Sequence, residues 1–233
     1  MATRVPDQYA FLFRFLRECS GAYTEEIGKL AKSSQAAWNP DTARFEVDAY
    51  FTFLLSSSLL HLKHERQVWE DMCNLCKAAL THTHQGCVDS DDLSGVFIAR
   101  IKEYGKIANS ASKAGDSPLM DRIKSLRQHI RASAHESRVE AEHPVMIGGF
   151  FEEFTLFIEY LRIDLFFAGA FTCGLKHILQ NTSDVRSVSE EELTRLAQAG
   201  QKEAAEIASR TLESITKKSK SVSNDKRWWQ FWR

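Results

Sequence analysis

Apolar residues recur along this chain with the spacing of helices. Residues 7–19 and 22–38 carry two such patterns, and the Ser20-Gly21 pair between them predicts a break. Asn39-Pro40-Asp41 reads as a stop followed by a start, with proline in the first helical turn. One pattern then runs to about residue 80. It places Val47, Tyr50, Phe51, Leu54, Leu55, Ser58, Leu62, Val68, Trp69 and Met72 on one face of a 3.6-residue wheel. Residues 81–90 are polar and predict a loop. Leu93, Val96, Phe97, Ile101, Tyr104, Ile107, Ala108 and Ala111 mark the next helix, which the "KAGDSP" segment ends. Ser117-Pro118 followed by Asp121 is a helix start, and Leu119, Ile123, Leu126 and Ile130 form its stripe up to the break at His143-Pro144.

Residues 149–179 are apolar nearly all round, which predicts a helix at the centre of the fold. Ser189 with Glu192 is a capping-box pair. The last helix follows with a thin stripe of Leu193, Leu196, Ala197, Ala204, Ile207, Ala208, Leu212 and Ile215, as suits the edge of a bundle. Ser219 to Asp225 reads as a polar linker. There is no internal repeat and no convincing strand. The predicted fold is all-α: a bundle of roughly six to eight helices over residues 1–216, with residues 217–233 as a flexible basic, tryptophan-rich tail.

Composition sharpens this in three ways. Only 4 prolines and 11 glycines in 233 residues disfavour a turn-rich β-sandwich. A net charge of -1 leaves the chain without an overall nucleic-acid footprint, so nucleic acid is not expected as a partner. The charge is uneven, however. Residues 217–233 hold six basic residues against Asp225 alone, a net +5, so the rest of the chain carries -6. Five cysteines, with no secretory signal pattern at the N-terminus, predict reduced thiols and a cytoplasmic setting. The apolar runs 51–62 and 165–175 are too short to span a bilayer.

Three groups of residues invite chemistry. Cys73, Cys76, His82, His84 and Cys87 are five soft ligand types within fifteen residues, a zinc-like inventory. Their spacing does not match a ribbon or a finger, because the Cys-x-x-Cys pair lies inside a helix. The favoured reading makes the cysteines small buried hydrophobes, with no metal or other cofactor. His61 and Glu65 form an i,i+4 pair, to which Glu153, Glu159 and Asp164 would add carboxylates in a metal-dependent bundle. Glu140 and His143 give a single Glu-x-x-His where di-iron bundles use two, so hydrogen-bonded core polar groups are favoured. Arg122 and His129 stand seven apart on one helix. This spacing resembles the loose Arg-x₄₋₆-His pattern of HEPN-type ribonucleases, which are also all-helical. The resemblance implies His129 as general acid or base and Arg122 as a stabiliser of phosphate charge. Arg131 and His135 repeat the pairing at poorer spacing, and Ile123 stands where that family places a polar residue.

The most unusual segment is "KRWWQFWR". If helical, Trp228, Trp229, Phe231 and Trp232 share one half of the wheel, and Lys226, Arg227, Gln230 and Arg233 share the other. Tryptophan suits the headgroup layer, and basic residues suit an anionic surface. The same residues would also anchor in a partner's groove, or fold back onto their own bundle or a second copy of it. The function expected from these features is an intracellular helical binding or adaptor protein. Its tail would attach it to an anionic membrane surface or a partner protein, and homo-oligomerisation is left open. The alternative class is an enzyme, either ribonuclease-like or metal-dependent.

Overall fold

The computed structural model describes residues 9–33, 40–61, 66–84, parts of 95–106, and 154–222. Among these residues the fold is all-α and no strand occurs. Helix α1 spans Ala10–Ser33, α2 Pro40–His61, α3 Arg66–Thr83, α4 Phe154–Asn181 and α5 Glu190–Val222. Further helical positions lie between residues 95 and 106.

The expected break at Ser20-Gly21 is absent, and α1 passes through it unbroken. Ser20 is buried, and its hydroxyl lies 2.6 Å from Oδ1 of Asp48 on α2 and 3.3 Å from the Arg17 carbonyl of its own helix, so it ties α1 to α2 without interrupting α1. Gly21 is a site of close approach. A Cβ there would lie 3.0 Å from Nη1 of Arg44. The long pattern from residue 40 resolves into α2 and α3, and the latter ends in the stretch expected as loop, at Thr83.

Helix α2 is buried on more than one face. Val47, Tyr50, Phe51, Leu54 and Leu55 are buried as the wheel predicts, but so are Glu46, Asp48, Thr52 and Ser56. Thr52 and Ser56 return their hydroxyls to the carbonyls of Asp48 and Thr52, at 2.8 and 2.9 Å, so burial leaves them satisfied. Helix α4 packs against α1, α2 and α5, in keeping with the central place its sequence predicts. An aromatic ladder joins the three inner helices: Phe15 of α1 to Phe171 of α4 at 5.3 Å, Phe171 to Phe51 of α2 at 5.2 Å, and Phe51 to Tyr23 of α1 at 5.5 Å. Such pairs add about 0.5–1.5 kcal/mol each beyond the area they bury.

The α4–α5 seam is antiparallel and tight. Gly200 faces Cys173 and Gly174, Gly169 lies near Ala204, and Leu161 and Leu165 pack on Ala208. A short 3-10 turn, Val185–Ser187, links the two helices, capped by Asp184, whose side chain accepts from the Arg186 N–H. Half of the predicted capping box forms. Ser189 Oγ accepts the Glu192 N–H at 3.3 Å, whereas the Glu192 carboxylate turns outward to Arg195 at 2.6 and 2.7 Å. Helix α5 continues to Val222, through the first four residues of the expected Ser219–Asp225 linker. No described helix is long and apolar enough to cross a membrane.

Candidate functional site

Two buried polar clusters and one open groove hold the unusual side chains of the bundle. The first cluster centres on Asp48, whose side chain has no exposed surface. Its Oδ2 accepts from Arg17 of α1, from Arg44 one helical turn away at 3.3 Å, and meets His84 Nε2 at 2.8 Å. Arg44 also donates to the Arg17 carbonyl at 3.3 Å. His84 follows the end of α3 and stands edge-on to the Phe45 ring. Burial alone would raise the Asp48 pKa. The hydrogen bond from His84, the Arg17 and Arg44 charges and the Ser20 hydroxyl outweigh it and hold the carboxyl below its usual value. The cluster thus fastens α1, α2 and the end of α3 together.

The second cluster lies between α1, α2 and α4. Asp164 Oδ1 accepts from Tyr50 at 3.2 Å and Tyr23 at 3.4 Å, and the Tyr23 and Tyr160 hydroxyls are 3.0 Å apart. Tyr50 packs tilted against Tyr104 at 5.5 Å, and the Tyr104 hydroxyl reaches Glu46, itself paired with Arg100 at 2.9 Å. Burial, then the negative charge of Asp164 and Glu46, pushes Tyr23, Tyr104 and Tyr160 well above the ordinary tyrosine value. These hydroxyls stay protonated and act as donors. Tyr160 and Asp164 are only 1% and 2% exposed, so the layer is built to fix how the helices meet and offers no open face to a substrate.

The groove is different. It opens between α1 and α4 with a volume of about 550 Å³, within the usual range for ligand sites. Its floor is apolar: Phe15, Ala22, Ile163, Phe166, Phe167 and Ala170. Glu18, Glu26, Arg162 and Gln201 form the rim. Arg162 is already paired with Glu159 at 2.9 Å, and Glu18 makes no ion pair among the described residues. Cys19 also lines the groove, where burial and then Glu18 push its thiol up to about 12, so it stays an unreactive thiol.

The residues singled out by sequence fare unequally. Cys76 is in the core, His82 is exposed, and His84 is engaged by Asp48. The side chain of Cys73, and Cys87 altogether, lie outside the described residues. Among the described residues no group of three or more histidine, cysteine or acidic side chains gathers as a metal site. Asp164 serves the tyrosine layer, and Glu159 sits on the surface with Arg162. Arg122, His129, Arg131, His135, Glu140, His143, Glu153, the side chain of His61, Glu65, and the tail Lys226–Arg233 lie outside the described residues. Sequence reasoning missed the Asp48 cluster, although the Arg44–Asp48 spacing of four was a visible signal. Nothing in the sequence pointed from Asp48 to Arg17 or His84. Comparison with known protein families, with curated proteins and with solved structures finds no match.

Proposed function

We propose that this is a cytoplasmic helical binding or adaptor protein whose C-terminal segment, Lys226 to Arg233, attaches it to an anionic membrane surface. The observation that carries the reading is the charge and aromatic asymmetry of the chain: a net +5 and three of five tryptophans in the last seventeen residues, against -6 elsewhere. The helical bundle supports it in kind, because the described helices share an aromatic ladder and a buried polar layer that give the segment a folded body to attach. Three basic residues in 226–233, at about 1 kcal/mol each near an anionic leaflet, contribute roughly a hundredfold in partition. Indole rings set at the headgroup level add to this.

The test separates charge from aromaticity in the full chain. On phosphatidylserine-containing vesicles, replacing Lys226, Arg227 and Arg233 by glutamine should weaken binding by about two decades. Replacing Trp228, Trp229 and Trp232 by alanine should weaken it comparably. Loss of binding only on tryptophan removal, indifferent to lipid charge and salt, would turn the reading toward a protein partner that takes the aromatics as anchors.

A further inference from the structure

We propose that the groove between α1 and α4 is the resting place of this chain's own segment 226–233, which leaves it when a membrane competes. The inference rests on reading that segment as one aromatic face. The groove supplies what that face lacks: an apolar floor that includes Phe15, Phe166 and Phe167, and a rim on which Glu18 is uncommitted to any described cation. Glu26 and Glu159 add negative charge beside it, partly offset by Lys29 and Arg162. Lys226, Arg227 and Arg233 complement this rim, and Trp228, Trp229, Phe231 and Trp232 complement the floor.

Reach decides whether the segment can arrive there. Helix α5 runs antiparallel to α4, with Gly200 at Gly174 and Ala208 at Leu161 and Leu165. The groove residues 163–167 therefore lie level with positions near 205–210 of α5. Val222 is about 18–25 Å further along at 1.5 Å per residue. With 223–225 extended at about 3.3–3.6 Å per residue and 226–232 helical at about 1.5 Å, a returning chain brings Trp228 to Trp232 back by about 14–21 Å. The last of the aromatics thus reach the Ile163 end of the groove, about 18 Å back. Since one aromatic face cannot lie in the groove and on a bilayer at once, the groove lowers apparent membrane affinity by the fraction of molecules in which the segment is free.

The experiment uses the full chain labelled with fluorotryptophan, with the three tail resonances assigned by single Trp→Phe substitutions. Solvent isotope shifts of those resonances measure indole exposure, and the peptide 223–233 gives the fully exposed reference. The proposal expects the tail indoles to be protected in the wild type, independently of protein concentration. It expects exposure to rise toward the peptide value in Ala22→Phe and Ala170→Phe, which fill the groove without altering charge. It expects the same trend in the surface variant Glu18→Gln/Glu26→Gln, which leaves the core untouched. If nine molecules in ten are docked, the two plugging variants also gain about tenfold in partition onto phosphatidylserine vesicles. Tail indoles as exposed as the free peptide would overturn the proposal. So would protection that disappears on dilution, which identifies a second copy as the occupant, or protection that survives all three variants. If no variant binds vesicles yet protection appears and is lost as described, the groove assignment stands and the membrane reading falls.

Discussion

Replacing Asp48 by asparagine tests the reading of the first polar cluster as a structural clamp. The substitution keeps shape and one acceptor oxygen but removes the carboxylate that Arg17, Arg44 and His84 share. Asp48 is fully buried, and the two arginine side chains are 28% and 26% exposed, so solvent screens the loss only in part. Removing one partner of a buried charged pair costs about 3–5 kcal/mol, and the retained amide oxygen places the expected loss toward the low end. Against a total stability of about 5–15 kcal/mol, the variant should still fold. Urea unfolding followed by far-ultraviolet circular dichroism gives the difference directly. The effect is pH-dependent with a defined sign. The folded-state pKa of Asp48 lies below its ordinary value, so its stabilisation is present above the unfolded pKa of about 4 and is lost as pH falls through the folded value. The gap between wild type and Asp48→Asn should therefore be full at neutral pH and shrink in acid. A neutral-pH difference below about 1 kcal/mol, the worth of one ordinary hydrogen bond, would refute the clamp.

Gly200→Ala should destabilise the bundle by about 1–3 kcal/mol, although alanine is the better helix former by about 1 kcal/mol, because the added methyl would lie 2.5 Å from the Gly174 nitrogen. A neutral or raised melting temperature would show that α4 and α5 do not cross as described. In alkaline titration Tyr23, Tyr104 and Tyr160 should remain un-ionised well past the usual value near 10, releasing their protons only as the protein unfolds. Because the folded state keeps these protons, their contribution to stability is intact below about pH 10 and falls as pH rises beyond it. An early tyrosinate signal from these three in the folded protein would contradict the buried layer. Cys19 should resist alkylation at mildly alkaline pH in the native protein and react on denaturation, as mass spectrometry of the labelled peptide would show.

What could be read from the sequence follows from how far each signal reaches. Helical periodicity is local, so α4, α5 and the apolar face of α2 were all visible in spacing alone. Ser20-Gly21 misled because a local breaker signal was answered by a partner 28 residues away, Asp48. The groove and the tyrosine layer are made by helices distant in sequence, Tyr23 meeting Tyr160 across 137 residues, and even the consecutive helices of the Asp48 cluster meet across 31 and 36 residues. A wheel shows that Tyr50 faces inward but not that Asp164 awaits it. His84 shows the same limit. Its neighbours in sequence suggest zinc, while its neighbour in space is a carboxylate on α2.

The measurement closest to the central claim is co-sedimentation of the full chain, beside a chain ending at Asp225, with vesicles of graded phosphatidylserine content over increasing salt. The account predicts binding of the full chain to anionic vesicles, weakening as salt screens the basic residues, and at least about a hundredfold less partition for the shortened chain. The shortened chain should keep its helicity, and its melting temperature should stay within a few degrees of the full chain's, since a latched segment contributes on the order of 1 kcal/mol. Equal sedimentation of the two chains, or failure of the full chain to bind anionic vesicles at low salt, would contradict it.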